Sequence, residues 1–137
     1  NQSSFYKDFA HSPSKLKATT SALKQQFPNR KLVACMELHT FSSLNLDFLK
    51  LYHKSMSNAD EAFVYFNEET ILHKRLEKIE KKDVYDAFGT SNLKVFTSSK
   101  ELQSNLFSKD WTNSNLLMMS SGTFDGLDFN KIADKII

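Results

Sequence analysis

Three polar clusters, each directly after a short apolar run, gather the residues of this chain best suited to chemistry. The first is Asp8-Phe9-Ala10-His11-Ser12-Pro13-Ser14 and the second Glu37-Leu38-His39-Thr40-Phe41-Ser42-Ser43-Leu44-Asn45. The third is Ser120-Ser121-Gly122-Thr123-Phe124-Asp125-Gly126. Carboxylate, imidazole and hydroxyl groups can hold a polar ligand. Glycine lets a ligand approach the backbone N–H groups of the third cluster, which suits an anion. Structural roles compete with this reading. Asp8 or Ser12 can cap a following helix, His11 and His39 can be ordinary loop residues, and the third cluster can be a glycine turn. The two histidines follow successive runs, so an arrangement in which they face each other is one expectation.

Other chemistries find little support. Cys35 sits in the middle of an apolar run, where burial makes a thiol inert packing. No serine lies in a G-x-S-x-G elbow. No histidine pair has i, i+4 spacing and there is one cysteine, so no metal site is expected. His53 and His73 fall inside helical patterns, as surface residues without a role.

The elements that must position the clusters alternate. The apolar runs are Ser4–Lys7, Leu32–Leu38, Ala62–Phe66, Leu93–Phe96 and Leu116–Met119. Between them lie helical patterns at Pro13–Phe27, Asn45–Met56, Glu68–Phe88 and Lys100–Lys109, with Asp128–Ile137 closing the chain. In the first helix Ser12 can cap, Pro13 suits the first position, Leu16, Leu23 and Phe27 share a face, and Pro28-Asn29 stops it. Leu49, Tyr52 and Met56 mark the second. Leu72, Leu76 and Ile79 mark the third, as one helix or as two broken near Lys82-Asp83. The charged run Lys74–Lys82 reads as a solvated helix face. Such alternation predicts βαβ units and a mainly parallel sheet covered on both faces. Ligands of an open parallel sheet gather beyond the carboxyl ends of its strands, and there the three polar clusters fall.

Composition bounds the possibilities. The 137 residues, 40% of them hydrophobic and 25% charged, predict one folded domain over 1–137. A net charge of +2 gives no argument for a nucleic-acid or membrane partner. No long apolar stretch predicts a membrane span, and the polar start Asn1–Ser4 does not read as a secretory signal, so a cytoplasmic protein is expected. With only 3 glycines, neither G-x-G-x-x-G nor a phosphate-binding G-x-x-x-x-G-K-S/T occurs. Any ATP chemistry would be shared with another domain.

The motifs carry a resemblance. Asp8-Phe9-Ala10-His11-Ser12-Pro13 resembles the D-x-A-H-x-P signature that opens the C-terminal domain of Mur ligases. These ATP-dependent enzymes join amino acids or peptides to UDP-muramyl precursors of peptidoglycan. His39-Thr40-Phe41-Ser42-Ser43 is similar to the H-R-Y/F-S/T-R of UDP-muramate–alanine ligases. The stretch Met118–Gly126 is most similar to the M-S-N-G-G-F-G-G run of murein peptide ligases, which link L-alanyl-γ-D-glutamyl-meso-diaminopimelate to UDP-N-acetylmuramate. The resemblance runs from Phe5 to Ile137.

This resemblance implies an α/β, Rossmann-like fold with a mainly parallel sheet of about five or six strands and helices on both faces. It implies closure on a central ATPase domain of the same polypeptide, which, like the N-terminal UDP-binding domain, is absent from this chain. Asp8 would contact the nucleotide ribose and His11 would lie near the phosphates and the incoming substrate. His39, Thr40, Ser42, Ser43 and Asn45, with Ser120, Ser121, Gly122, Thr123 and Gly126, would hold the incoming peptide. Catalytic residues, the phosphate loop and most Mg2+ ligands belong to the central domain. ATP and Mg2+ are therefore expected for the full-length ligase, while this domain alone is expected to be inactive.

Departures from the family pattern bear on the substrate. Lys7 stands where aspartate is frequent, Ser12 replaces a histidine, and Thr40 and Ser43 replace two arginines. Hydroxyls do not supply an arginine's charge, so an acidic peptide must meet backbone amides near Gly122, lysines or another domain. Alternatives are a related ligase adding L-alanine to UDP-muramate or glutamate to folate, and a free-standing doubly wound binding module. The third cluster favours the murein peptide type.

Overall fold

Five strands lie side by side in the order β1-β5-β2-β3-β4, every neighbouring pair parallel. The computed structural model describes residues 2–137, so Asn1 lies outside the described residues. The elements are β1 (Ser4–Asp8), α1 (Pro13–Gln26), β2 (Lys31–Leu38), α2 (Leu46–Leu49) with a 3₁₀ turn (Lys50–Tyr52), and β3 (Glu61–Phe66). Then come α3 (Glu68–His73), α4 (Lys81–Phe88), β4 (Leu93–Phe96), α5 (Ser99–Ser108), β5 (Ser114–Met119) and α6 (Phe129–Ile136). The α/β class, the parallel sheet of five strands and the helices on both faces agree with the sequence reading.

Strand periodicity builds two cores. On β2, Leu32, Ala34, Met36 and Leu38 face one side, where they join Leu16 and Leu23 of α1, Tyr52, and Val84 and Phe88 of α4. Val33 and Cys35 face the other, against Phe63, Leu102 and Leu106 of α5, and Ile132 and Ile136 of α6. Each fully buried Leu or Ile contributes roughly 1.5–3 kcal/mol. Right-handed crossovers account for the layering. The chain steps outward from β1 to β4 with α1–α4 on one face, then α5 carries it back across the other face to β5. Inserting β5 between β1 and β2 is the decisive feature for the site. Successive loops at the carboxyl edge leave toward opposite faces there, which opens a crevice.

Two helical expectations need correction. The pattern over Asn45–Met56 is helical only to Tyr52. Lys54 takes a left-handed φ of 64°, and its N–H donates to the carbonyl of Phe88 (2.9 Å) instead of continuing the helix. The pattern over Glu68–Phe88 is two helices, broken over 74–80 rather than near Lys82-Asp83. Arg75 is left-handed (φ 55°), and the Leu76 N–H closes the helix end on the Ile71 carbonyl (3.1 Å). The next helix restarts at a capping box between Glu80 and Asp83. The charged run is therefore largely this connection, and the stripe is shifted: Ile71 is buried while Leu72 is exposed. Among the described residues no helix is long and apolar enough to cross a membrane.

Candidate functional site at the carboxyl edge of the sheet

The three polar loops follow β1, β5 and β2, which are neighbours in the sheet. Lys7 and Asp8 at the end of β1, Phe9 beyond it, Met118, residues 120–124 of the third loop and Phe129 enclose a cavity of about 420 Å³. The Lys7 ammonium lies 4.5 Å from the centroid of the Phe129 ring, and Phe9 stands exposed at the rim. A larger groove of about 600 Å³ lies between α2 and α4, lined by Asp47, Glu77, Asp83, Asp86 and Lys50. Of the motif residues it holds only Asn45, so the smaller cavity is the better candidate.

In the first loop, Asp8 does not cap α1. Its Oδ1 accepts the N–H of Ala10 at 2.7 Å, which turns the chain away from the strand. Ser12 occupies the cap position but its hydroxyl makes no capping bond, and Pro13 begins the helix. His11 Nδ1 donates to the Phe9 carbonyl (2.8 Å), so Nε2 is the nitrogen left for a ligand.

The second loop divides into structural and available groups. Thr40 and Ser43 bond each other: the Thr40 N–H donates to Ser43 Oγ (3.0 Å) and the Ser43 N–H to Thr40 Oγ1 (3.1 Å). Asn45 caps α2 by accepting the Phe48 N–H (3.0 Å). His39 is half-buried and Ser42 is exposed. The two histidines do not pair, because β5 separates their strands and places the third loop between them.

The third loop rests on a residue without an assigned role in the sequence reading. Glu37 is only 2% exposed, and its Oε1 accepts both the Ser120 hydroxyl (2.7 Å) and the Phe124 N–H (3.0 Å). Its Oε2 lies 3.9 Å from His39 Nδ1. The Gly122 N–H donates back to Ser120 Oγ at 2.7 Å. A side chain at Gly122 would place Cβ 2.9 Å from Glu37 Oε1 and 3.0 Å from His39 Cδ2, so glycine permits this approach. A carboxylate in an otherwise unbroken buried strand was the signal that could have found Glu37, since such a group is rarely buried unless bonded. At the far end of the loop, Phe124 and Asp125 are left-handed and Gly126 has φ 81°. Thr123 Oγ1 accepts the Gly126 N–H (3.2 Å), and Ser121 is exposed. Asp125 Oδ2 accepts the Tyr65 hydroxyl and the Asn67 amide, the latter at 3.0 Å. Burial, and next this bond to a carboxylate, push the Tyr65 pKa well above its ordinary value. The loop is thus tied to β2 at one end and to the end of β3 at the other.

No family model matches the chain. It is similar to the UDP-N-acetylmuramate–L-alanine ligase of Limosilactobacillus reuteri, 40% identical over 57 residues, which are 42% of this chain and 13% of that protein. The same-named ligase of Pediococcus pentosaceus is 43% identical over 54 residues, 39% of this chain and 12% of that one. The chain thus matches only about an eighth of the length of these relatives. Among solved structures, the murein peptide ligase of Psychrobacter arcticus superposes with a TM-score of 0.72 at 19% identity, covering 96% of this chain and 27% of that one. A domain from a Haemophilus ducreyi UDP-N-acetylmuramate:L-alanyl-γ-D-glutamyl-diaminopimelate ligase gives 0.65 at 20% identity, covering 97% and 90%. The chain has the fold of the Mur ligase C-terminal domains, and its sequence resembles theirs.

Proposed function

We propose that this chain is the domain of an ATP-dependent Mur-type ligase that receives the incoming substrate, a murein peptide, for attachment to UDP-N-acetylmuramate. The observation that carries the reading is the convergence of the three motif loops at one sheet edge, where the first and third line one cavity and the second meets the third at Glu37, His39 and Gly122. In this reaction class the muramyl carboxylate accepts the γ-phosphoryl group of ATP, and the incoming amine displaces phosphate to form the amide.

The residues present fit a supporting share of that chemistry. Among the described residues no group of three or more His, Cys, Asp or Glu is placed to hold a metal, and no phosphate loop occurs. In this proposal a central domain of the same polypeptide would hold Mg2+ and the phosphates of ATP. Asp8 and His11, on the loop after β1, face the nucleotide in this proposal. His39 and Ser42, with Ser121, Gly122 and Thr123, receive the incoming peptide. Thr40, Ser43, Asn45, Ser120 and Gly126 shape the loops that present them. Lys7, lining the same cavity, offers a cation to a peptide carboxylate in place of the missing arginines. Closure on the central domain would exclude water and bring amine to carbonyl.

A second reading has its own support: the sequence relatives are named as L-alanine ligases. The test is phosphate release by the polypeptide carrying this domain, given ATP, Mg2+ and UDP-N-acetylmuramate. Turnover with L-alanyl-γ-D-glutamyl-meso-diaminopimelate and not with L-alanine is expected. The reverse preference establishes the second reading, and turnover with neither points to a free-standing binding module.

A further inference from the structure

We propose that Glu37 is a positioning residue: one buried carboxylate holds the third loop with Oε1 and orients His39 with Oε2, so that both loops form a single receiving surface. The role rests on reading these loops as the edge that receives the incoming substrate.

Three observations carry it. Glu37 shares the face of Val33 and Cys35, yet its side chain is as buried as theirs. A carboxylate so placed is strongly disfavoured unless bonded, and Ser120 and Phe124 bond the same oxygen. Those partners are 83 and 87 residues away in sequence, so the contact joins two loops rather than closing one turn. The second oxygen accepts no hydrogen bond among the described residues, and the nearest ionisable group is His39 Nδ1 at 3.9 Å. Gly122 fits between the two side chains because it has no Cβ.

An anion on the Nδ1 side of an imidazole favours the tautomer with hydrogen on Nδ1. Nε2 is then an acceptor, suited to a donor on the incoming substrate such as its amine. Without the anion, a neutral imidazole reverts to its usual preference for hydrogen on Nε2. Glu37 acts on substrate only through His39 and the loop.

The test compares wild type, Glu37→Gln and Glu37→Leu in this 137-residue chain by ¹⁵N NMR at a pH where His39 is neutral. The Nδ1–H tautomer of His39 is expected to dominate in wild type and to lose that dominance in both variants. Glutamine still offers an oxygen to Ser120 and Phe124, so exchange of the Phe124 amide should stay within about threefold of wild type. In Glu37→Leu it should accelerate roughly 10- to 150-fold, the range for losing one hydrogen bond to a charged acceptor. An unchanged tautomer in Glu37→Gln overturns the proposal, and so does unchanged Phe124 exchange in a folded Glu37→Leu. If Glu37→Leu does not fold, the tautomer in Glu37→Gln decides alone. These readouts need no ligase activity, so failure of the functional reading and failure of the role of Glu37 are separately visible.

Discussion

The hydroxyl of Tyr52 donates to the backbone carbonyl of His11 at 2.5 Å, while its ring stacks on Phe88 at 5.1 Å. A loop residue proposed to face the nucleotide is thereby fastened to the helical layer that packs on β2 and β3. Tyr52→Phe keeps the stack and removes the bond. It should cost about 0.5–1.5 kcal/mol in urea unfolding, with faster amide exchange confined to residues 9–12. Unchanged exchange there would mean that the bond does not hold the loop.

Stability should also fall at alkaline pH. Burial pushes the pKa of Tyr52 above its ordinary value of 10.0, and burial followed by the bond to Asp125 does the same for Tyr65. A pKa higher in the folded than in the unfolded state means that the folded state prefers the protonated form. The contribution is therefore fully present below about pH 10 and declines as pH rises beyond it. Tyrosinate absorbance from these two residues should appear together with loss of circular dichroism, and Tyr52→Phe should flatten the decline. Ionisation of both at the ordinary pH in a chain that stays folded would contradict the burial.

Two glycines of the third loop should answer differently to alanine. At Gly122 the new Cβ meets the bonded Glu37 and the His39 ring. Gly122→Ala should cost about 1–3 kcal/mol and shift the NMR signals of the His39 ring. At Gly126 nothing lies within 4 Å, and only the φ of 81° opposes a side chain. Gly126→Ala should cost about 1–2 kcal/mol and leave His39 undisturbed. Equal effects on His39 would show that loop conformation, not contact at Gly122, controls that ring.

Cys35 lies mid-strand with no exposed surface, beside Phe63 and Met118 in register, and burial pushes its thiol pKa strongly up. A thiol reagent should label it slowly in the native chain and rapidly after unfolding. Cys35→Ser should cost about 1–3 kcal/mol, because a hydroxyl there has no assured partner. Rapid native labelling would place β2 at an edge, contrary to the strand order.

In the proposed ligase, His39→Ala should mainly raise KM for the incoming peptide, lowering kcat/KM roughly 2- to 150-fold. Asp8→Ala should weaken ATP instead. If His39→Ala raises the KM of ATP and leaves that of the peptide unchanged, the assignment of the two loops is reversed. A fall in stability with no kinetic effect in either variant would make both residues purely structural.

Local patterns determined much of this protein. The unbroken apolar stretch from Leu32 to Met36 demanded a strand covered on both faces, and Pro13, Leu16 and Leu23 marked α1 to within a residue at its start. Both signals act over neighbours in the chain, so they can be read in one dimension. Helix ends were less legible. Lys54 and Arg75 adopt left-handed backbone because distant carbonyls and helix closures favour it, and neither residue type announces that. The site was legible as three polar loops after three strands, but their mutual placement was not. Only the return of the chain through α5, which inserts β5 between β1 and β2, set the third loop between His11 and His39. The same return brought Ser120 and Phe124 to Glu37, so a carboxylate that looks out of place in its strand became the point where two loops meet. Strand order and long-range hydrogen bonds depend on which crossovers pack, and that is decided by the whole chain at once.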